Sequence, residues 1–147
     1  MTESRHAIRQ RPVQVFLSHS TADVVFARKL RNLLFQRANA QVFTDEDLSA
    51  GEDWKTRLRH ELDAADVVVA LLTPSSVDSN WVLHEIGAAW GLAKPIISVI
   101  TRRDVLNKIP VSLKGTDVIE LADVEGAKNA DRFVKAFEEI MATANVA

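Results

Sequence analysis

Short apolar runs alternate with amphipathic segments along most of this 147-residue chain. Five of the runs have the length and composition of β-strands, and they occupy residues 13–17, 42–44, 67–72, 96–100 and 117–121. Strands that alternate with helices are typical of a parallel sheet covered by helices on both faces. The pattern therefore predicts a flavodoxin-like, three-layer αβα sandwich with a five-stranded parallel sheet, and we expect the common strand order 2-1-3-4-5.

Segments between these runs have the 3.6-residue periodicity of amphipathic helices. They begin near Ser20, Trp54, Ser79 and Asn129. Ser20 and Asp23 stand in capping-box spacing at the start of the first segment. In the third, Asp78 or Ser79 can cap the first turn, and Gly91 can supply a left-handed residue near the end. With these four segments named, the chain is expected to form five helices in all, packed on the sheet.

Composition excludes several classes of protein. The formal net charge of −2 and the hydrophobic content of 47% suggest neither nucleic-acid binding nor disorder. The chain has no Cys, which excludes disulfides, thiolate metal sites and a Cys nucleophile, and favours a cytoplasmic location. The longest apolar run, residues 67–72, is too short to span a bilayer, and no signal segment precedes it. We therefore expect a flexible leader over residues 1–12 and one domain over residues 13–147, with no metal, membrane or nucleic-acid partner.

A sheet of this order binds ligands at the carboxyl ends of strands one and three. The residues delivered there are Ser18, His19 and Ser20, residues 73–76, and the helix that contains Trp81 and Glu85. Trp81 and Glu85 are four residues apart and so lie on one face of that helix. Most neighbours of Glu85 in this helix are apolar, and a carboxyl in such surroundings indicates a functional site. The pattern leaves open the alternative that Glu85 is an ordinary surface residue, exposed or ion-paired.

Three motifs fall in order at these elements: FLSHSTAD after the first strand, VFTDEDLSAGEDW after the second, and SNWVLHE followed by GAAWGL and KPIISVI. Together they resemble a Toll/interleukin-1 receptor (TIR) domain of the bacterial type. Many members of that family cleave NAD into nicotinamide and ADP-ribose or a cyclic ADP-ribose isomer. The resemblance implies that Glu85 is the catalytic glutamate and that NAD is a substrate, with no cofactor. It implies substrate contacts for Trp81, Ser18, His19, Phe43 and Asp45.

A single carboxylate suffices for this reaction. Hydrolysis of the glycosidic bond between two sugars commonly uses one carboxylic acid to protonate the leaving oxygen and a second carboxylate as nucleophile or base. The pyridinium of NAD departs as neutral nicotinamide and needs no proton. Glu85 would hold the ribose and stabilise the positive charge that develops at its anomeric carbon, with Trp81 walling the pocket. Attack by water gives ADP-ribose and attack by an adenine nitrogen gives a cyclic product, and the sequence leaves both open.

The resemblance also implies an assembly loop after the second strand, formed by Leu48, Ser49, Ala50, Gly51, Glu52, Asp53 and Trp54. In the family, enzyme activity can depend on stacked domains in which a neighbour's loop completes the pocket. The implied partners are further copies of the chain and sensor or effector proteins, in immune or antiphage signalling. Two alternatives remain: a non-catalytic TIR module that signals by homotypic assembly, and a transferase that cleaves deoxynucleosides and leaves NAD untouched.

Other polar and aromatic residues have less specific patterns. The acidic turn of residues 45–47 lacks further ligands at metal-site spacing, which favours a solvated turn. His60 and His84 are expected at the surface, because no second His follows His84 at zinc-protease spacing. Trp54 and Trp90 have apolar neighbours at helical spacing, so we expect both in the core.

Overall fold

A computed structural model describes residues 11–110, 113 and 115–144 of the chain. Within this part, five parallel strands form one sheet. They are β1 (Val13–Ser18), β2 (Ala40–Phe43), β3 (Val67–Leu72), β4 (Ile96–Ile100) and β5 (Asp117–Glu120). Their order is β2-β1-β3-β4-β5, which confirms the predicted fold class and strand order. The switch in order falls between β1 and β3, so the crevice lies where the sequence placed it.

Four α-helices, one fewer than the five helices expected, cover the sheet within the described residues: α1 (Val24–Arg37), α2 (Trp54–Ala64), α3 (Asn80–Gly91) and α4 (Ala127–Thr143). Single turns of 3-10 helix precede α1, α2 and α3 at Thr21–Asp23, Asp45–Asp47 and Ser76–Asp78, and a longer one, Arg103–Lys108, occupies the connection between β4 and β5. None of the helices described here combines the length and hydrophobicity needed to span a bilayer.

Strand β3 shows how the two layers of helices are attached. All six of its residues are buried, because a central parallel strand is covered on both faces. Val67, Val69 and Leu71 belong to one hydrophobic cluster with α1 and α4. The intervening residues Val68 and Leu72 belong to a second cluster with α2 and α3. The layer of α2 and α3 carries the candidate catalytic residue.

Of three local predictions about helix ends, two require correction and one is confirmed. Ser20 does not form a capping box: its hydroxyl donates to the Asp23 carboxylate at 2.7 Å, because a carboxylate is the strongest acceptor within reach. Ser79 does cap α3 as predicted, since its side chain accepts a backbone N–H of the first turn at 3.3 Å. The left-handed residue after α3 is Ala93, with φ 57°, rather than Gly91.

The prediction that two tryptophans lie in the core is wrong. The side chain of Trp54 is 42% exposed and that of Trp90 is 62% exposed. Each lies in a terminal turn of its helix. At such a position a residue can extend beyond the edge of the sheet and stay exposed, even when its neighbours in the sequence are apolar. His60 and His84 are exposed, which confirms their prediction. Residues 1–10 of the expected leader lie outside the described residues, so the leader stays a prediction.

Candidate active site

Glu85 is a buried carboxyl at the carboxyl end of β1. It lies in the middle of α3, and only 2% of its surface is exposed. Its Oε1 accepts a hydrogen bond of 2.5 Å from the hydroxyl of Ser18, the last residue of β1. Ser18 pairs with Ala70 of β3 in the sheet. The two side chains therefore meet at the switch point between β1 and β3, where ligands bind to sheets of this order.

The environment of Glu85 favours its neutral form. Burial raises its pKa to about 8, the negative charge of Asp45 adds to this increase, and the Ser18 hydroxyl opposes it. The indole N–H of Trp81 also lowers the pKa of Glu85, although Nε1 forms no hydrogen bond of ordinary geometry. In the free protein at neutral pH, Glu85 is thus mostly protonated, as is typical of carboxyls at functional sites.

His19 and Asp45 lie beside this carboxyl. The His19 ring is buried, and its Nδ1 donates to the backbone carbonyl of Ser20 at 2.8 Å. Its Nε2 faces Oδ1 of Asp45 at 3.5 Å, which is beyond hydrogen-bond distance. Burial raises the pKa of Asp45, and His19 acts in the opposite direction. The structure therefore brings His19, Asp45, Ser18 and Glu85 into one polar cluster, and their roles in catalysis and substrate binding stay predictions.

Two polar hydrogen-bonding atoms near Glu85 have no partner. They are Nε2 of His19 and Nε1 of Trp81, and the third such buried side-chain atom among the described residues is Oγ of Ser98 in β4. A buried polar atom without a partner costs about 1–3 kcal/mol, so folding alone gives no reason to place two of them together. A ligand hydroxyl group could serve either atom, because it can donate to Nε2 of His19, whose Nδ1 carries the proton, and can accept from the indole N–H of Trp81.

Asp23 is a site residue that sequence reasoning treated only as a helix cap. Its Oδ2 accepts hydrogen bonds from Oγ of Ser20 at 2.7 Å and Oγ1 of Thr73 at 2.6 Å. Ser76 in turn donates its hydroxyl to the carbonyl of Leu71 at 2.9 Å and accepts the backbone N–H of Thr73. This network ties the loop after β1 to the loop after β3. It fixes the two sides of the crevice relative to each other.

Trp54 and Trp81 form an aromatic pair between two cavities. Their ring centroids are 5.5 Å apart and their planes are inclined by 50°. The smaller cavity, of about 330 Å³, is lined by both rings and by Asp45. The larger, of about 920 Å³, lies between α2 and α3 and is lined by Trp54 and Glu85. Phe43 lines neither cavity: it packs against Phe16 with ring centroids 5.5 Å apart.

A family model described as "TIR domain" matches residues 15–140 of the chain. The chain belongs to the TIR domain family. Among solved structures, this TIR domain is similar to the TIR domains of the activated Roq1 resistosome, which recognizes the pathogen effector XopQ. That match has a TM-score of 0.66 and 16% identity, and covers 85% of this chain and 99% of the other. No match was found among curated protein sequences.

Two further structures have the same fold as this TIR domain. The TIR domain of the Toll-related receptor TRR-2 from Hydra magnipapillata matches with a TM-score of 0.62 and 16% identity, over 82% of this chain and 97% of the other. The CMP N-glycosidase BcmB from Clostridium botulinum matches with a TM-score of 0.53 and 13% identity, over 85% of this chain and 98% of the other. At these identities, the likeness shows the fold alone.

The loop predicted for assembly, Leu48–Trp54, is held at one end and exposed at its tip. Glu52 accepts the backbone N–H of Ser49 at 2.7 Å and pairs with Arg57 of α2 at 2.9 Å. Ser49, Ala50 and Gly51 are exposed, and Gly51 has φ 81°, a conformation that favours glycine. The tip of this loop is thus accessible while its last residue, Trp54, packs on the site.

The acidic turn of residues 45–47 is not simply solvated. Glu46 pairs with Arg28 at 2.7 Å, and Asp47 pairs with Arg31 at 3.1 Å and closes a capping box with Thr44. Among the described residues, no group of three or more His, Asp or Glu side chains is placed to hold a metal ion. These pairs anchor the turn to α1 and leave Asp45 directed toward His19.

Proposed function

We propose that this TIR domain cleaves the bond between nicotinamide and ribose in NAD, and releases nicotinamide and either ADP-ribose or a cyclic ADP-ribose isomer. The observation that supports this most directly is Glu85, a buried carboxyl at the switch point. It is held by Ser18, and the unpartnered polar nitrogens of His19 and Trp81 lie around it. NAD is the substrate in this proposal, and the reaction takes no cofactor.

The proposed reaction begins with breakage of the bond between the anomeric carbon and the ring nitrogen. The electron pair moves to the nitrogen and neutralises the pyridinium, while positive charge develops on the anomeric carbon and the ring oxygen of the ribose. Glu85, as carboxylate, stabilises this charge and accepts hydrogen bonds from the ribose hydroxyls. Water then adds to the carbon and loses a proton to give ADP-ribose, or an adenine nitrogen adds to give the cyclic product.

The raised pKa of Glu85 fits a site for a cationic substrate. In the free protein, burial and the nearby charge of Asp45 disfavour the carboxylate. The pyridinium ring of NAD carries a positive charge, which favours the ionised form of a carboxyl close to it. Binding of NAD at neutral pH is therefore expected to release a proton from Glu85. The carboxylate would form only when the group that it stabilises is present.

The polar and aromatic neighbours of Glu85 have roles in substrate binding under this proposal. The indole N–H of Trp81 would donate to an oxygen of the substrate, and Nε2 of His19 would accept a hydrogen bond from a substrate hydroxyl. The paired rings of Trp54 and Trp81 present an apolar wall suited to a flat nicotinamide ring. Phe43 contributes indirectly, because it packs beneath the site against Phe16.

The chemistry of one structural neighbour supports the reaction class. BcmB is named as a CMP N-glycosidase, so a protein of the same fold cleaves an N-glycosidic bond to ribose. The low identity means that this likeness does not choose the substrate. The choice of NAD over a nucleotide or nucleoside follows from the motifs of the bacterial TIR group and from the single-carboxylate chemistry of Glu85.

We further propose that the enzyme acts as an assembly in immune or antiphage signalling. The tip of Leu48–Trp54 is exposed in the single chain, and Trp54 connects this loop to the aromatic wall of the site. Contact with a neighbouring copy would therefore reach the substrate pocket directly. Sensor or effector proteins would supply the trigger or read the product.

The test is turnover of NAD by concentrated protein, with Glu85→Ala beside the wild type and products separated by chromatography and mass. Release of nicotinamide by the wild type alone would establish the enzyme and identify the second product. The same exposed loop also suits a non-catalytic module that signals by homotypic assembly. That second function would be supported if the wild type assembled and left NAD intact.

A further inference from the structure

Four basic side chains line the cleft of about 920 Å³ between α2 and α3, and Glu85 lies on its inner wall. Lys55, Arg59 and His60 come from α2, and His84 comes from α3. The inner lining is apolar and contains Phe16, Leu58 and Leu62, all of which are buried. The cleft therefore combines a basic rim, an apolar interior and the candidate catalytic carboxyl.

The two permanently cationic side chains of this rim take part in no ion pair among the described residues, although the charge of Lys55 adds to the lowering of the pKa of Asp53. Lys55 and Arg59 are four residues apart on α2, and like charges at this spacing destabilise a helix. Within the described part of the chain, neither forms an ion pair with a carboxylate, although Asp63 stands four residues after Arg59. The Lys55 ammonium lies 5.7 Å from the ring centroid of Trp54, at the boundary of the cleft. While Glu85 is protonated, the lining of the cleft carries two permanent cations and one carboxylate, that of Asp63, and so has a small excess of positive charge.

We propose that Lys55, Arg59, His60 and His84 bind the phosphate groups of the substrate, so that a dinucleotide lies along the α2–α3 cleft with its nicotinamide ribose at Glu85. The inference rests on the proposed function and adds to it the direction in which the substrate extends. It also makes the domain selective for phosphorylated substrates. A nucleoside has no phosphate group and therefore cannot form these contacts with the rim.

The chemistry of the rim matches this ligand. Arg and Lys are the side chains that bind phosphate oxygens through charge-assisted hydrogen bonds, and imidazoles add further N–H donors. The cleft volume falls in the range of small-molecule sites. Among the described residues, the carboxyls in its lining are Asp63 and Glu85, and Asp63 is exposed at the far end of α2. A diphosphate placed over Lys55 and Arg59 would relieve their mutual repulsion.

The experiment compares three substrates that share the same scissile bond: NAD, nicotinamide mononucleotide and nicotinamide riboside, which differ in phosphate content. We expect kcat/KM to fall in that order for the wild type. Lys55→Gln and Arg59→Gln should each raise KM for NAD by about 10-fold, the effect of removing one charged hydrogen-bond donor, with little change in kcat. Turnover of nicotinamide riboside should be unchanged. Arg37→Gln removes an exposed cation from α1, on the opposite layer, and is the matched control.

The outcomes separate this inference from the proposed function. Suppose that the wild type cleaves NAD. If both variants keep the wild-type KM for NAD, or if they turn over all three substrates more slowly by the same factor, the phosphate assignment is wrong and the NAD reaction stands. If the wild type cleaves none of the three, the proposed function fails. Binding of ADP-ribose, followed by tryptophan fluorescence because Trp54 lines the cleft, then tests the rim without catalysis. Equal affinity in wild type and variants would contradict the inference.

Discussion

Glu85→Gln replaces a buried titrating carboxyl with a neutral amide of nearly equal size, and so isolates the cost of burying the charge. The pKa of Glu85 is about 8 in the folded protein, compared with 4.5 for an ordinary Glu. Between these values the folded chain holds a proton that the unfolded chain releases. The contribution of Glu85 to stability is therefore complete below about pH 4.5 and is lost as the pH rises through 8.

The size of this loss follows from the pKa difference. At roughly 1.36 kcal/mol per pKa unit, a rise from 4.5 to about 8 corresponds to about 5 kcal/mol. This is an upper bound, because the protein can relax around the charge and water can enter the α2–α3 cleft. We expect the free energy of unfolding of Glu85→Gln to exceed that of the wild type by about 2 to 5 kcal/mol above pH 8, and the difference to disappear below about pH 4.

Urea unfolding followed by circular dichroism, in steps from about pH 4 to about pH 9, measures this difference directly. Glu138→Gln removes an exposed carboxyl from α4 and should follow the wild type throughout. The reasoning would be refuted if the wild type and Glu85→Gln changed in parallel with pH. It would also fail if the wild type became more stable relative to Glu85→Gln as the pH rose.

Three further predictions concern the same site. The kcat/KM for NAD should rise with pH to a plateau above about 8, because only the ionised Glu85 stabilises the cationic transition state; a flat profile of initial rates would contradict this. Ser18→Ala removes a hydrogen-bond donor to Glu85, so its pKa and the pH profile should shift to higher pH. Asp45→Asn removes a negative charge near Glu85, so the profile should shift to lower pH, and shifts of the two variants in the same direction would contradict the assigned contacts. Asp23→Ala leaves two hydroxyls without their acceptor and should lower the free energy of urea unfolding by about 2 kcal/mol, whereas unchanged stability would show that the network is not structural.

The architecture could be predicted because its signals are local. The run Val67–Leu72 is apolar at every position, and only a central strand covered on both faces requires that pattern. The spacing of Trp81 and Glu85 within one helix likewise depends on helical geometry alone. The meeting of Ser18 with Glu85 needed the strand order as well; the alternation of strands and helices indicates only a parallel sheet, and the order is expected because it is common for such sheets.

Other features of the site depend on contacts that sequence patterns do not contain. Asp23 looked like a helix cap, and its bonds to hydroxyls after two different strands appear only when those strands lie side by side. Trp54 looked like a core residue, yet its position at the start of α2 places it against Trp81 at the surface of the site. The basic rim of the cleft was missed because Lys55 and His84 come from different helices and converge only in the folded layer.

The central claim is that Glu85 makes this TIR domain an NAD-cleaving enzyme, and the most direct test is the initial rate of nicotinamide release from NAD. The rate would be measured for the wild type and Glu85→Gln near pH 8 over a series of protein concentrations, so that activity that depends on self-assembly is also detected. The account predicts nicotinamide release by the wild type, rising more than linearly with protein concentration, and none above background for Glu85→Gln. Equal rates for the two proteins, or no release by either at any concentration, would contradict it.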